Sequence, residues 1–205
     1  MSYYIIIRGP LGCGKSTICK ELSKRLDAKV FSVDKVLKEK DLENDWEVGY
    51  ISQKNFKKAN RIMMPDAKKC LEKGKIIIFD GNFYWKSQIE DLTSSLKYPQ
   101  YVFTLKVPIT TCIERDKNRH KPHGEDAAKA VFLKSTEFDH GIVIDVNKSL
   151  KDCVDEILSH LPKRLMRNWQ DSKDKKQRLL SRPVSIFSSI KTRREHLLPS
   201  CGILV

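Results

Sequence analysis

Residues 3–17 read YYIIIRGPLGCGKST, a short apolar run that leads into a glycine-rich turn. Residues 9–17 match the pattern G-x-x-x-x-G-K-[ST] in full. In this pattern the glycines let successive backbone N–H groups point at phosphate oxygens, and the following helix presents the positive end of its dipole to them. The apolar strand Tyr3–Arg8 enters the motif and the amphipathic helix Lys15–Leu26 leaves it, as the motif requires. The segment therefore predicts a loop that binds the phosphates of ATP.

The positions of this loop have distinct predicted roles. Lys15 reaches the β- and γ-phosphates as a mobile point charge, which makes it a candidate catalytic residue. The hydroxyl of Ser16 is a predicted ligand of Mg²⁺. The predicted nucleotide-binding residues are Gly9, Gly12, Cys13, Gly14, Lys15, Ser16 and Thr17. The alternative interpretation is a chance glycine-rich turn between a strand and a helix.

Two acidic residues each follow an apolar run. Asp80 follows IIIF at residues 76–79, and Asp34 follows KVFSV at residues 29–33. Because ligands bind at the carboxyl ends of parallel strands, we expect both carboxylates to lie beside the phosphate loop. We predict that Asp80 holds Mg²⁺ and that Asp34 accepts the proton of an attacking hydroxyl. The alternatives are a solvated Asp80 in a turn and an Asp34 that only caps a helix.

A pair of arginines precedes a polar segment. Arg115 and Arg119 are four positions apart, so the pattern places them on one face of a helix that leads into RHKPHGED at residues 119–126. Phosphoryl transfer spreads negative charge over the equatorial oxygens, and arginines on a closing lid neutralise this charge. We predict catalytic roles for both arginines. A solvated basic face is the alternative.

Along residues 1–161, short apolar runs alternate with segments of helical periodicity. This alternation predicts an α/β fold of three layers, in which a parallel sheet of five strands lies between helices. The predicted strands are 3–8, 28–33, 75–79, 101–107 and 142–146, and the predicted helices are 15–26, 52–73, 87–96, 109–117, 127–136 and one that Ser149 caps. Pro65 predicts a kink in the helix over 52–73 or a break into two helices.

The composition of the 205 residues, 40% hydrophobic and 32% charged, is typical of a globular protein. The longest apolar runs are far shorter than the roughly 20 residues that cross a membrane. The six cysteines are scattered and form no C-x-x-C pair, and no signal peptide is evident. We therefore expect reduced thiols in a cytoplasmic protein without a membrane partner.

The net charge of +13 is unevenly distributed. Residues 162–205 contain 11 Lys and Arg against 3 Asp and Glu, out of 39 and 26 in the whole chain. This stretch is also rich in Ser and only weakly periodic. We predict one domain over 1–161 and a basic, mostly disordered tail over 162–205. The tail either contacts nucleic-acid phosphates or is a solvated extension without function.

Together the loop, the strand-ending acids and the arginine pair resemble small P-loop kinases of the nucleoside monophosphate kinase-like fold. More closely, the chain resembles the AAA-domain predicted kinases, a group that includes polynucleotide 5′-hydroxyl kinases and chloramphenicol phosphotransferase. The resemblance spans about residues 3–161. It implies the strand order 2-3-1-4-5, activation of a substrate hydroxyl by Asp34, and a lid between strands four and five that Arg115 and Arg119 serve.

The sequence departs from the adenylate kinases after the third strand. Those enzymes have D-G-x-P-R there, whereas residues 80–85 read DGNFYW and lack the arginine that grips an acceptor phosphate. This difference argues against a plain nucleoside monophosphate as the acceptor. Tyr84 and Trp85 are candidates for stacking on an acceptor, whereas Phe83 is expected to pack in the core.

Three functions fit these features. The leading one is an ATP-dependent kinase whose hydroxyl acceptor, a small molecule or a nucleoside or nucleotide, is not identified. The second is a polynucleotide kinase that uses the basic tail, and the third is an ATP-binding switch that is not an enzyme. A guanine-reading N-K-x-D motif is absent, since residues 147–150 read NKSL.

Overall fold

A computed structural model describes residues 2–162. Five strands form the central sheet: β1 (Tyr4–Arg8), β2 (Lys29–Ser32), β5 (Ile77–Asp80), β6 (Gln100–Lys106) and β7 (Ile142–Asp145). Strands β3 (Trp46–Glu47) and β4 (Tyr50–Ile51) form a separate antiparallel hairpin. The helices are α1 (Lys15–Leu26), α2 (Val33–Glu39), α3 (Gln53–Glu72), α4 (Lys86–Ser95), α5 (Ile109–Lys117), α6 (Glu125–Thr136) and α7 (Leu150–Ser159). No helix in the described range is long and apolar enough to cross a membrane.

The sheet is parallel, with the order β2-β5-β1-β6-β7. If only the strands of this sheet are counted, the order reads 2-3-1-4-5. All five strands run in one direction, so their carboxyl ends meet at one edge. The glycine-rich turn after β1, Asp80 at the end of β5 and Asp34 just after β2 therefore lie at the same edge.

Helices cover both faces of the sheet, which confirms the predicted three-layer α/β fold. The central strand β1 is buried along its whole length, and its residues alternate between two cores. Ile5 and Ile7 pack with residues of α1 and α7, whereas Tyr4 and Ile6 pack with residues of α2, α3 and α4. A continuous apolar run is the pattern of a strand that is covered on both sides.

The predicted break at Pro65 is wrong, because α3 continues through the proline as a single helix of 20 residues. Proline removes the hydrogen bond to the carbonyl four residues earlier, which belongs to Arg61. Pro65 and Arg61 are both exposed, so water can bond to that carbonyl. The sequence patterns also missed the β3–β4 hairpin and the first turn of α6.

The predicted basic tail at 162–205 lies outside the described residues, apart from Pro162. The predicted boundary between domain and tail, and the suggested nucleic-acid contact, therefore remain predictions.

Candidate active site

The loop between β1 and α1 can form only because two of its residues lack a side chain. A Cβ on Gly12, which has φ +81°, would overlap the carbonyl oxygen of Cys112 in α5. A Cβ on Gly9 would lie 2.9 Å from the carbonyl oxygen of Leu105 in β6. The loop therefore packs closely against α5 and β6. Its backbone curls as a phosphate-binding loop requires.

Helix α1 begins without a side-chain cap. Its N-cap residue is Gly14, which has φ +97° and no side chain to accept a hydrogen bond from the first turn. The N–H groups of this turn are the donors that bind phosphate oxygens at a helix N-terminus. Ser16 and Thr17 in the same turn are exposed, so their hydroxyls are accessible.

The Lys15 side chain is buried to 6% exposure and folds back along the loop. Its Nζ donates a hydrogen bond of 2.8 Å to the carbonyl oxygen of Pro10. The ammonium group is therefore positioned over the loop, where it faces the space that phosphates would occupy. The side chain of Cys13, by contrast, is fully buried, and burial raises the pKa of its thiol. Only the backbone of Cys13 can contribute to a nucleotide site.

Asp80 ends β5, and Asp34 lies in the first turn of α2, directly after the adjacent strand β2. Asp80 is the last residue of β5 and pairs in register with Ser32 of β2, two residues before Asp34. Asp80 is only 6% exposed, and its Oδ1 atom has no hydrogen-bond partner among residues 2–162. A buried carboxylate oxygen without a partner is costly unless a cation or a water molecule satisfies it.

Asp34 does not cap helix α2, which removes the alternative role that the sequence left open. The N-cap is Ser32, whose hydroxyl accepts a hydrogen bond of 3.3 Å from the N–H of Lys35. The Asp34 carboxylate instead lines a cavity, where water reaches it but surrounding protein excludes bulk solvent. This desolvation raises the pKa of Asp34, repulsion from Asp80 adds to the rise, and Lys15 acts in the opposite direction.

The cavity beside the loop has a volume of about 520 Å³. It is lined by Gly14, Lys15, Ser16 and Thr17 of the loop and by the polar side chains of Asp34, Glu43, Asn82, Arg119 and His123. The rest of its lining is largely apolar, and the aromatic residues are Trp46, Tyr50, Phe56 and Tyr84. The space therefore joins the phosphate loop to a chamber with apolar and aromatic walls.

The segment between α5 and α6 is held by one buried carboxylate. Asp116 accepts hydrogen bonds from the N–H groups of His123 and Gly124 at 2.9 and 3.0 Å. Its other oxygen lies 3.6 Å from Nε of Arg119. This segment, residues 118–124, is called the lid segment, and it brings Arg119 and His123 to the wall of the main cavity.

The two predicted arginines line different cavities. Helix α5 ends at Lys117, so Arg119 follows the helix and does not share its face with Arg115. Arg115 lies 3.5 Å from the carbonyl oxygen of Cys13 and lines a second cavity of about 210 Å³. The other residues of this cavity are Cys13, Gly14, Thr17, Ile18, Val146, Lys148, Leu150 and Cys153.

Phe83 is buried in the core with φ +46°, as the sequence predicts. Tyr84 belongs to the same core and is only 4% exposed, and it also lines the main cavity. Its stacking on an acceptor stays a prediction. Trp85 stands behind Tyr84, and its indole N–H donates a hydrogen bond of 2.8 Å to the carbonyl oxygen of Ile51 in the hairpin. Sequence reasoning missed Glu43, Asn82 and His123 as lining residues, because none belongs to a motif.

The residues at the loop fit a nucleotide with Mg²⁺. The uncapped first turn of α1 and the Lys15 ammonium provide donors for phosphate oxygens. The Ser16 hydroxyl and the unpartnered oxygen of Asp80 are oxygen ligands of the kind that Mg²⁺ binds, alongside phosphates and water.

Three solved structures with the same fold are similar to the chain, and two of them are kinases by name. A gluconokinase from Sinorhizobium meliloti 1021 is 15% identical over 84% of this chain and 96% of its own, with a TM-score of 0.62. The APS kinase CysC of Mycobacterium tuberculosis is 12% identical over 77% and 96%, with a TM-score of 0.57. A tunicamycin resistance protein of Deinococcus radiodurans is 18% identical over 78% and 95%, with a TM-score of 0.56.

The fold is therefore that of the P-loop kinases with a nucleoside monophosphate kinase-like core. The family model described as "AAA domain" matches residues 5–131, which is more than half of the chain. The protein belongs to this AAA domain family. A search of curated protein sequences finds no match.

Proposed function

We propose that the protein is an ATP-dependent kinase that phosphorylates a hydroxyl group of an acceptor bound in the main cavity. The observation that carries the proposal is that Asp34 and Lys15 line the same cavity, while Ser32 leaves Asp34 free of capping. A carboxylate that can accept a proton and a cation at the phosphate loop are the two groups that such a transfer requires.

In the proposed reaction the acceptor oxygen forms a bond to the γ-phosphorus, the bond from phosphorus to the β–γ bridging oxygen breaks, and ADP leaves. Asp34 takes the proton of the attacking hydroxyl, and its raised pKa makes it a better base than an ordinary carboxylate. Lys15 and Arg119 offset the charge that spreads over the equatorial oxygens. Mg²⁺, when held by Ser16 and Asp80, neutralises charge on the β- and γ-phosphates.

The second cavity supports ATP as the donor. It adjoins the loop through Gly14 and Thr17, and it offers apolar side chains at Ile18 and Leu150. The planar guanidinium of Arg115 lines the same space, and arginine stacks well on a flat ring. We infer that the nucleotide base occupies this cavity while the acceptor occupies the larger one.

The test is transfer of labelled γ-phosphate from ATP and Mg²⁺ to pools of nucleosides, small alcohols, and RNA and DNA oligonucleotides with free 5′-hydroxyl ends. We expect Lys15→Ala to abolish transfer, because the loop then lacks the ammonium group that would contact the β- and γ-phosphates. Lys20→Ala, on the exposed side of the same helix, is the matched control. Full activity of Lys15→Ala would refute the assignment of the site.

Two further outcomes separate the remaining functions. Label on oligonucleotides alone would favour the polynucleotide kinase, and deletion of residues 163–205 would then test the tail. Tight binding of ATP without transfer to any pool would favour a nucleotide switch.

A further inference from the structure

The acceptor side of the main cavity has an unusual charge balance. Among the described lining residues the cationic groups, Lys15 and Arg119, stand at the loop, with His123 next to them on the lid segment. The other charged groups of the lining are the carboxylates of Asp34 and Glu43, and Lys15 and His123 lie close enough to Asp34 to lower the pKa of its carboxyl. Glu43 forms no ion pair among residues 2–162, although it is close enough to Asp34 to raise the pKa of its carboxyl.

ATP with one Mg²⁺ has a net charge of about −2, and Lys15 with Arg119 offsets a charge of that size. Arg119 also lies 3.6 Å from Asp116, and Lys15 and His123 partly offset the charge of Asp34. Glu43 is then the carboxylate that faces the acceptor without compensation. A phosphate, sulfate or carboxylate on the acceptor would meet like charge there.

The wall of the acceptor side is aromatic. Tyr84 packs against Phe56 and Tyr50 with ring centroids 5.0 and 5.6 Å apart. The Tyr50 hydroxyl donates a hydrogen bond of 3.3 Å to the carbonyl oxygen of Ala130 in α6. This bond holds the hairpin against α6. This part of the wall is therefore already formed before an acceptor binds.

Trp46 stands apart from this wall. It lines the cavity from the first strand of the hairpin, yet 65% of its surface is exposed. Within the described residues its indole ring makes no aromatic pair and donates no hydrogen bond. An indole ring left uncovered beside a cavity offers a face on which a flat group can stack.

We propose that the phosphoryl acceptor is an alcohol without negative charge, whose flat apolar face stacks on Trp46 and whose hydroxyl reaches Asp34. The proposal rests on the proposed kinase function and narrows its substrate class. It follows from the Glu43 carboxylate, which has no ion pair among residues 2–162, and from the uncovered indole.

The test uses probes that differ in one feature. 4-Nitrobenzyl alcohol and 4-(hydroxymethyl)benzoate are aromatic alcohols of similar size, of which only the second is anionic, and glucose is an uncharged alcohol without a flat apolar face. Binding is measured by titration calorimetry in the full chain, in the presence of Mg²⁺ and a non-hydrolysable ATP analogue.

We expect the nitro compound to bind about tenfold more tightly than the benzoate, as one unfavourable charge contact of ordinary strength predicts. Glu43→Lys should reduce this preference at least about threefold, whereas Glu39→Lys, an equal charge change on the exposed end of α2, should leave it unchanged. Measured by titration calorimetry, Trp46→Ala should weaken binding of the nitro compound about fivefold, and Val48→Ala, at the exposed hairpin tip, should not.

Equal or tighter binding of the benzoate would overturn the inference, as would tighter binding of glucose or a failure of every probe to bind at millimolar concentration. Failure of the kinase proposal looks different. In that case the preference for the uncharged aromatic alcohol persists, but no labelled phosphate is transferred to any alcohol.

Discussion

Asp34 and Asp80 follow neighbouring parallel strands, and the negative charge of Asp80 raises the pKa of the Asp34 carboxyl. Desolvation of Asp34 by the surrounding protein acts in the same direction and is the larger cause, while Lys15 opposes both. The arrangement gives two carboxylates different tasks. One is enclosed beside the expected metal position, and the other lines the acceptor cavity with an increased affinity for a proton.

Asp34→Asn should lower kcat about 10²- to 10⁴-fold, because the amide cannot accept the proton of the acceptor hydroxyl. The KM for ATP should change little, since Asp34 stands away from the base cavity. Asp41→Asn is the control, because Asp41 is exposed, has φ +51° and lies outside the cavity, and Asn tolerates that backbone conformation. Steady-state kinetics of both variants would show whether the loss is specific to Asp34.

Asp34 should also make stability depend on pH in a definite direction. Its pKa is raised in the folded state, so the favourable effect of the protonated form is present below the ordinary value of 3.8 and is lost as pH rises through the folded value. Above that window the ionised carboxylate destabilises the fold. Asp34 is an exposed residue, so water screens much of this effect. Asp34→Asn should therefore have a Tm only slightly higher than that of the natural protein at pH 7, and the difference should vanish as pH falls toward 3.8. A Tm difference that grows at low pH would contradict this sign.

The phosphate loop could be predicted from the sequence because its physics is local. Glycine at positions of positive φ, a lysine and a hydroxyl residue at fixed offsets, and an apolar strand before them define the backbone path without reference to the rest of the chain. The same holds for α1, whose predicted bounds match the structure, and for α7, where the Ser149 hydroxyl accepts a hydrogen bond from Asp152.

The acceptor cavity could not be predicted, because residues far apart in the chain create it. Glu43 and Trp46 face the site only because a hairpin of two-residue strands folds over the carboxyl edge of the sheet. In the turn of this hairpin Val48 has φ +52°, a conformation that valine rarely adopts. The usual turn residues therefore do not predict the hairpin. Arg115 and Arg119 share helical spacing, but where α5 ends determines which cavity each one lines.

Alanine variants of Arg115 and Arg119 should differ in whether KM or kcat changes. Arg115→Ala should raise the KM for ATP about tenfold with a smaller effect on kcat, because Arg115 lines the cavity assigned to the base. Arg119→Ala should lower kcat about 10²-fold or more, because Arg119 faces the space in which phosphate is transferred. Equal effects of the two variants on KM and kcat would mean that the cavities do not have separate roles.

Gly12→Ala should disable the nucleotide site. The new Cβ would overlap the Cys112 carbonyl, and the positive φ of Gly12 adds strain of about 1–2 kcal/mol. Gly74→Ala is a matched control, since Gly74 has φ +78° but no atom within 4 Å of the added Cβ. Both variants should lose stability in thermal unfolding, but only Gly12→Ala should also lose binding of ATP by calorimetry. Normal ATP binding by Gly12→Ala would show that the loop can shift away from α5.

Arg8 should be the most stabilising charged residue of the described core. Its side chain is fully buried at the end of β1, directly before the phosphate loop. The guanidinium donates four hydrogen bonds, to the carbonyl oxygens of Phe83, Ser135 and Phe138 and to the Thr104 hydroxyl. Arg8→Met would leave these buried acceptors unsatisfied and should lower the free energy of unfolding by about 3 kcal/mol or more.

The comparison for Arg8 is Arg25→Met, measured by urea unfolding under the same conditions. Arg25 also bonds two partners, Glu21 and Asp155, but Asp155 is itself 42% exposed, so its loss should cost less than about 1 kcal/mol. Arg8 additionally ties the end of α6 to β1, and α6 forms one wall of the acceptor cavity. Arg8→Met should therefore weaken acceptor binding even at temperatures where it is fully folded. If the two variants were equally stable, Arg8 would not hold these elements together.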